Sequence, residues 1–307
     1  MTALGDDLSA YLALRRSLGH DLRDSGRLLP RFVAYLYERG ESVVTIENAL
    51  AWSQESAGPP GTTTRSRRMS AVRGFARFMA AQDPRTQVPP LGLIPFSAKW
   101  KPPYVYAPAE IEGLMRACYA CIPTRHRAVT YATLIGLLAA TGLRIGEAVR
   151  LERRDVDWAD ATLHVRRTKF AKSRLLPLHT STIAALKTYH RDQAKLHPRS
   201  TALFSSLTSR PLLYVTVRET FRTLTLAANI GLDAPRLPRL HDLRHTFAVR
   251  TLQAWQEAGD DVHARLPWLS TYMGHADPVS TYWYLSAAPE LLQHAALRLS
   301  WHERTPS

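Results

Sequence analysis

The sequence predicts an α+β fold, mainly α-helical, with a small β-sheet or hairpin in the second of two domains. Apolar residues recur at helical spacing through most of the chain, whereas residues 162–165 and 173–178 alternate as β-strands do. A proline-rich stretch separates the two halves. With 307 residues, the chain is long enough for each domain to bury a core.

Residues 1–88 are predicted to form an all-helical domain. Gly40 ends the second helix, Ser42 is expected to cap a short third helix through Trp52, and residues 58–61 (Gly-Pro-Pro-Gly) break the chain. Thr62 to Thr64 offer N-caps for a fourth helix. The apolar stripes that predict the first, second and fourth helices are Leu8, Tyr11, Leu12 and Leu18; Leu29, Phe32, Val33 and Leu36; and Val72, Phe75 and Met79.

The charge balance indicates a polyanionic partner. Forty Lys and Arg residues against 26 Asp and Glu give a formal charge of +14, and Arg, whose guanidinium matches phosphate oxygens bidentately, dominates. Nucleic acid is the first candidate and an acidic membrane surface the second. The fourth helix is either a solvated basic surface or a contact to the DNA backbone, through Arg65, Arg68, Arg73 and Arg77.

Residues 89–108 are predicted to be an extended linker, because prolines cluster there. The second domain, residues 109–307, is predicted to open with a helix over 109–120 and a long apolar helix over 128–140. The two β-like segments then enclose a basic hairpin around Lys169. Further candidate DNA contacts lie on this hairpin, at Arg166, Arg167, Lys172 and Arg174.

Several classes of protein are disfavoured. The apolar stretch 128–143 is too short and too interrupted to span a bilayer, and residues 1–8 do not resemble a signal peptide. Cys118 and Cys121 have no second pair to complete a zinc site. His241 and His245 lack the glutamate of a His-Glu-x-x-His metal helix. We therefore expect no metal, no cofactor, no membrane contact and a cytoplasmic location.

Four segments carry candidate chemistry. They are Thr-Gly-Leu-Arg-Ile-Gly-Glu at 141–147, the basic hairpin with Lys169, His-Asp-Leu-Arg-His at 241–245, and Gly-His at 274–275 followed by Tyr-Trp-Tyr at 282–284. On a helix, positions 241, 244 and 245 share one face. Individually, each segment also fits an ordinary helix surface or core.

In this order and spacing, the segments resemble the tyrosine recombinase family of phage-type integrases and Xer-like enzymes, with residues 264–285 closest to members carried by mobile elements. The resemblance is strong over residues 105–300 and looser over the N-terminal domain, which is similar to the family's core-binding domain. It implies a DNA-cleaving enzyme that forms a C-shaped clamp on duplex DNA. Its implied catalytic residues are Arg144, Lys169, His241, Arg244, His275 and Tyr284.

The residue types also suit the chemistry. Two arginines, Arg144 and Arg244, can neutralise the oxygens of a phosphodiester transition state. The phenol of Tyr284 needs a base or a positive field to attack, and His241 is the candidate to take its proton or to orient the phosphate. The resemblance implies that His275 binds a non-bridging oxygen and that Lys169 protonates the leaving 5′-oxygen. Glu147 and His245 match the family's supporting positions.

Some alternatives stay open. Tyr284 lies nine residues after His275, as the family requires, but Tyr282 is a rival nucleophile. The hairpin lacks the usual glycines beside its lysine, so Lys172 competes with Lys169. The expected partner is double-stranded DNA, bound by four copies of the chain or by a mixed tetramer with related recombinases. A catalytically inactive DNA-binding protein of the same fold and a type IB topoisomerase are the alternative functions.

Overall fold

The chain divides near residue 101 into two units, residues 1–101 and 102–307. The computed structural model describes residues 3–55, 63–94, 103–166, 173–275 and 279–287. Both units are mainly helical, and a small antiparallel sheet lies in the second. The fold class that the sequence predicts is therefore confirmed.

Helices of the first unit surround an aromatic core. Phe32 and Phe75 are fully buried; the ring of Phe32 lies 5.1 Å from that of Trp52, and the ring of Phe75 lies 5.6 Å from that of Tyr11. Val72 is also fully buried, as the apolar stripe of the fourth helix predicts. The described helices of this unit are α1 (Ala3–Ser17), α2 (Arg23–Glu38), α3 (Ile46–Gln54) and α4 (Thr63–Met79).

The start of α3 corrects the sequence prediction. Thr45, not Ser42, is the N-cap: its Oγ1 accepts from the Asn48 backbone N–H at 3.1 Å, and Asn48 Oδ1 accepts from the Thr45 N–H at 3.0 Å. This reciprocal capping box satisfies two donors at once, which a serine three residues earlier cannot do. Leu18 was also wrongly placed in a buried stripe, since it follows the end of α1 and is 64% exposed.

The second unit is built around α6, which is apolar on nearly all sides and packs against α5, α8 and α10. The predicted helices over 109–120 and 128–140 lie within α5 and α6. The described helices of this unit are α5 (Pro108–Cys121), α6 (Arg125–Thr141), α7 (Ile145–Ala148), α8 (Thr180–Leu196), α9 (Tyr214–Ala227), α10 (Leu240–Glu257), α11 (Val262–Met273) and α12 (Val279–Ala287).

The sheet is antiparallel with strand order β1-β2-β3, comprising β1 (Val156–Asp157), β2 (Thr162–Val165) and β3 (Arg174–Pro177). The sequence predicts β2 and β3, but β1 has only two residues and leaves no alternating pattern to detect. Val165 lies opposite Arg174 at the hairpin end of the sheet. The basic segment between these strands, residues 167–172, lies outside the described residues.

Tyr106 belongs to the core of the second unit and Tyr104 packs against this core, although the sequence places both in the linker over 89–108. Tyr106 is fully buried, and its backbone N–H donates to Thr246 Oγ1 at 2.9 Å. Arg250 Nη2 donates to the Tyr106 carbonyl at 2.8 Å. Within the part of the chain that the structure describes, no helix is long and apolar enough to cross a membrane.

Candidate active site

The turn between α6 and α7 positions Arg144. α6 ends at Gly142, whose φ of +60° suits glycine. A Cβ at this position would lie 2.5 Å from Phe247 Cδ1, so a side chain would clash with α10. The chain turns here between two packed helices, and Arg144 becomes the N-cap of α7.

Glu147 joins two arginines from different elements. Its Oε1 accepts from Arg144 Nη1 at 3.0 Å, and its Oε2 accepts from the Arg144 backbone N–H at 3.1 Å. Arg174, on β3, binds the same carboxylate with Nη1 at 3.2 Å and Nη2 at 2.9 Å. Glu147 is only 4% exposed, so this fork-to-carboxylate pair is shielded from water and rigid.

Arg244, on α10, is 2% exposed and is anchored by backbone carbonyls. Its Nη1 donates to the Gly142 carbonyl at 2.6 Å, and its Nη2 donates to the Met273 carbonyl at 2.8 Å. The Met273 carbonyl also accepts from Arg144 Nη1 at 3.4 Å, so both predicted arginines meet at the end of α11. The unsatisfied carbonyls of a helix C-terminus suit cations, and each guanidinium keeps N–H groups for a further acceptor.

The same helix end positions His275. α11 terminates at Gly274, whose φ is +68° and whose carbonyl accepts from Arg144 Nη2 at 2.9 Å. A Cβ on Gly274 would lie 2.7 Å from Arg174 Nη1, so glycine allows the arginine to pack against this turn. His275 Nδ1 lies 2.7 Å from Thr281 Oγ1 at the start of α12, which fixes its ring.

Tyr284, on α12, is the tyrosine that reaches this cluster. It is 2% exposed, and its hydroxyl lies 3.1 Å from His245 Nδ1. The Tyr284 ring stacks 6.2 Å from the ring of His275. Tyr282 is 47% exposed, and Tyr272 packs its ring on Phe247, so the structure brings neither of these tyrosines into the same position.

The environment keeps the histidines neutral and the phenol protonated. Burial, aided by neighbouring positive charge, lowers the pKa of His275 to about 4 and of His245 to about 3. The pKa of His241, whose ring lies at the rim of the site, is lowered in the same direction by partial desolvation and by the charge of Arg244. Burial raises the pKa of Tyr284, against the opposing charges of Arg244 and Arg144.

Two ionised groups complete the electrostatics. Burial opposes ionisation of Glu147, but hydrogen bonds and charges from Arg174 and Arg144 outweigh it and lower the pKa of this carboxyl. Burial lowers the pKa of Arg244 to about 10, which still leaves the guanidinium charged at neutral pH. The site is therefore a fixed positive centre with neutral imidazoles around it.

These shifts make stability depend on pH. A neutral buried histidine takes up protons more readily when the chain unfolds, so the free energy of unfolding should fall as pH drops below about 6.5 towards the native pKa. Each such group contributes a slope of at most about 1.4 kcal/mol per pH unit. We expect urea unfolding at pH 7.0 and 5.5 to show this loss, and His245→Asn to reduce it.

The control for this pH effect is His263→Asn, which removes an exposed histidine on α11. It should keep the wild-type difference between the two pH values. A wild-type free energy of unfolding that is equal at both values would contradict neutral burial of the site histidines.

Several arginines that the sequence proposes as DNA contacts have protein partners in the structure, and their contact with DNA stays a prediction. Arg68 Nη1 donates to the Trp52 carbonyl at 2.7 Å, and Arg73 donates to the carbonyls of Pro89 and Pro90. Arg166 pairs with Asp155 and Glu152, and Arg174 is held by Glu147 as described above. Arg65 is half-buried and Arg77 is exposed, while Arg167, Lys169 and Lys172 lie outside the described residues.

Sequence reasoning missed three features of this site. It did not anticipate the Arg174–Glu147 pair, the anchoring of both arginines on the Met273 carbonyl, or the contact between His245 and Tyr284. Of these, only the contact between His245 and Tyr284 could have been suspected from the sequence, because His245 shares a helix face with His241 and Arg244. Among the described residues, no group of three His, Cys, Asp or Glu side chains could hold a metal ion.

Comparison with known proteins decides the family. Residues 105–290 match the model of the phage integrase family, and this range includes all the side chains of the site. The chain belongs to the phage integrase family. It is 41% identical to a putative integrase/recombinase, y4rB, of Sinorhizobium fredii, over 99% of this chain and all of that protein. It is 31% identical to the tyrosine recombinase XerD of Caulobacter vibrioides, over 96% of this chain and 88% of XerD.

Solved structures of tyrosine recombinases share the fold of this integrase-family chain. The Tn1549 transposon integrase in complex with transposon right end DNA superposes with a TM-score of 0.65 at 18% identity, covering 98% of this chain and all of that one. A lambda integrase tetramer bound to a Holliday junction gives 0.63 at 15% identity, covering 92% of this chain and 76% of that one. At such low identity, these likenesses establish the fold alone.

Proposed function

We propose that the chain is a site-specific DNA recombinase that cleaves and rejoins duplex DNA through a covalent 3′-phosphotyrosine intermediate. The observation that carries this proposal is the convergence of Tyr284, Arg144, Arg244 and His275 around the end of α11. The Tyr284 phenol faces a fixed positive centre. Such a centre stabilises both the phenolate that attacks phosphorus and the negative charge that develops on the phosphate oxygens.

Arg144 and Arg244 bind the non-bridging phosphate oxygens in this proposal. The transition state places extra negative charge on those oxygens, and preorganised guanidinium groups stabilise it without reorganisation. The carbonyl anchors and Glu147 hold both arginines before DNA arrives. His275 donates a further hydrogen bond to phosphate, and His241, at the open rim, orients it.

Tyr284 attacks phosphorus in the proposed cleavage step, and the bond from phosphorus to the 5′-oxygen breaks. Lys169 protonates that oxygen, with Lys172 as the alternative donor. The phosphotyrosine link retains the energy of the broken ester, so the reverse attack by a 5′-hydroxyl reseals DNA without ATP or a metal ion. Cleavage and resealing both need the phosphate oxygens to be bound by Arg144 and Arg244, so the same residues serve both steps.

The proposed partner is double-stranded DNA, and the proposed active assembly is four copies of the chain, or a mixed tetramer, on two DNA sites. The net charge of +14 supports the first part, and the lambda integrase tetramer on a Holliday junction supports the second by analogy. The likeness to a transposon integrase and to the y4rB protein favours a role in moving a genetic element.

Covalent capture tests the proposal directly. The protein is incubated with a library of nicked duplexes of random sequence, the mixture is denatured in detergent, and covalently attached DNA is sequenced. We expect a defined DNA sequence joined to a Tyr284 peptide, formed equally well in EDTA. Absence of any adduct would favour an inactive DNA-binding protein; relaxation of supercoiled plasmids without a preferred sequence would favour a type IB topoisomerase.

Arg244→Lys should slow cleavage of the captured duplex by roughly 10²–10³-fold, the usual effect of losing one preorganised transition-state donor. Lysine keeps the positive charge, but it lacks the planar guanidinium that binds the Gly142 and Met273 carbonyls and the phosphate at the same time. Single-turnover cleavage is the measurement. Arg116→Lys, an exposed position on α5, is the control and should cleave at the wild-type rate.

A further inference from the structure

We infer that His245, rather than His241, is the group that takes the proton of Tyr284 during cleavage and returns it during resealing. This inference rests on the proposed function, because it assigns the proton transfer within that reaction. It gives a catalytic role to a residue that the sequence ranks only as a supporting one.

Geometry separates the two histidines. His245 Nδ1 lies 3.1 Å from the Tyr284 hydroxyl, within the reach that a general base needs. His241 lies one helical turn earlier on α10 and meets the edge of the His245 ring at 4.6 Å between centroids. The His241 ring is exposed at the rim, where phosphate would arrive, so the two imidazoles face different partners.

Packing on three sides fixes the His245 ring. Trp283 and Tyr284, both from α12, lie 5.2 and 5.5 Å from it, and His241 packs from its own helix. These three ring contacts and the hydrogen bond hold the imidazole against the Tyr284 hydroxyl. Because burial keeps it neutral at pH 7, its Nδ1 lone pair can accept a proton if the ring hydrogen is on Nε2.

The charges around His245 fit both directions of the step. Asp242, fully buried on the same helix, favours the imidazolium that forms when the proton arrives. The positive charges of Arg239 and Arg244, and the His241 ring, oppose that charge and favour return of the proton. Burial and these positive charges together disfavour the imidazolium, so His245 holds the Tyr284 proton only transiently and returns it readily when DNA is resealed.

Each bond that forms in this reaction is matched by one that breaks, and each proton has a donor and an acceptor. In cleavage, the Tyr284 O–H proton moves to His245 Nδ1, the phenol oxygen bonds to phosphorus, and the 5′-oxygen leaves with a proton from the hairpin lysine. In resealing, a 5′-hydroxyl gives its proton to that lysine and attacks phosphorus. The phosphorus–tyrosine bond breaks, and the phenolate takes its proton back from His245.

The test compares single-turnover cleavage of the captured duplex by His245→Asn and by His263→Asn, the exposed control on α11. We expect the first variant to cleave about 100-fold more slowly or worse, the usual contribution of a general base, and the second to cleave normally. Thermal unfolding and DNA affinity establish that both variants are folded. His245→Gln serves as a second variant if the asparagine variant is unstable.

Two further readouts separate proton transfer from packing. Replacing Tyr284 with a fluorinated tyrosine, whose phenol is more acidic, should restore part of the lost rate in His245→Asn. A duplex with sulfur in place of the 5′-bridging oxygen, which needs no proton on leaving, should not restore it, although it should restore a lysine variant.

The outcomes distinguish this inference from the function on which it rests. Cleavage by His245→Asn within about threefold of the control would overturn the role of His245 while leaving the recombinase proposal standing. A slow variant that the fluorinated tyrosine does not rescue would overturn it as well, since only packing was lost. Failure of the wild-type protein to attach to DNA would overturn the proposed function itself.

Discussion

Tyr284→Phe should abolish the covalent protein–DNA adduct while leaving DNA binding unchanged. The substitution removes one hydroxyl, which lies 3.1 Å from His245 Nδ1 and also accepts a hydrogen bond from Arg244. Folding should lose only about 1–3 kcal/mol, the typical net value of two hydrogen bonds. The chemistry should lose everything, because no phenol remains to form the ester with phosphorus. Detergent-resistant adducts on a nicked duplex measure the first effect, and gel shifts measure binding.

Tyr282→Phe is the matched control for this prediction. Tyr282 lies two residues away on α12 and is 47% exposed, so its hydroxyl can be removed without disturbing the buried cluster. This variant should form adducts at the wild-type rate. If Tyr284→Phe still becomes attached and Tyr282→Phe does not, the nucleophile has been assigned to the wrong tyrosine.

The choice between these two tyrosines shows what spacing along the chain can predict. Tyr284 follows His275 by nine positions, and the structure places that tyrosine, not Tyr282, beside the histidines. Spacing works here because α11 and α12 are short helices joined closely, so position in the chain determines which face of α12 turns inward. The same holds for His241, Arg244 and His245, which one helix carries.

Arg174 shows what sequence could not predict. In the chain, it belongs to a basic segment and was grouped with residues expected to contact DNA. In the fold, its side chain is 10% exposed and binds Glu147, from α7, and the Tyr272 carbonyl, from α11. These partners lie 27 and 98 residues away, and no local pattern reveals a buried carboxylate at that distance. Tertiary contacts to residues far along the chain therefore fix the position of Arg174, and its predicted contact with DNA stays a prediction.

Glu147→Ala should lower the free energy of unfolding by about 3–5 kcal/mol, mainly the cost of leaving Arg174, whose side chain is 10% exposed, without its carboxylate. Arg174 loses both of its contacts to this carboxylate, and Arg144 loses the partner that orients its fork. Cleavage should fall too, because Arg144 would no longer be preorganised for phosphate. Urea unfolding and single-turnover cleavage measure the two effects.

A double-mutant cycle shows whether the Glu147–Arg174 pair causes the loss of stability. Arg174→Met removes the second charge, so Glu147→Ala in that background should cost clearly less than it does alone, with a coupling of about 0.5–3 kcal/mol. The control pair is Arg218–Glu219 on α9, where both side chains are more than half exposed. Glu219→Ala should leave unfolding close to wild type, because solvent screens exposed pairs.

The pH dependence of the same variant gives an independent check. Since Arg174 and Arg144 lower the pKa of Glu147, this carboxyl contributes stability that is present above about pH 4.5 and is lost as pH falls through its native pKa. The difference in unfolding free energy between wild type and Glu147→Ala should therefore shrink at low pH. A difference that stays constant from pH 7 down to pH 3 would mean that packing volume, rather than the buried ion pair, holds the two arginines in place.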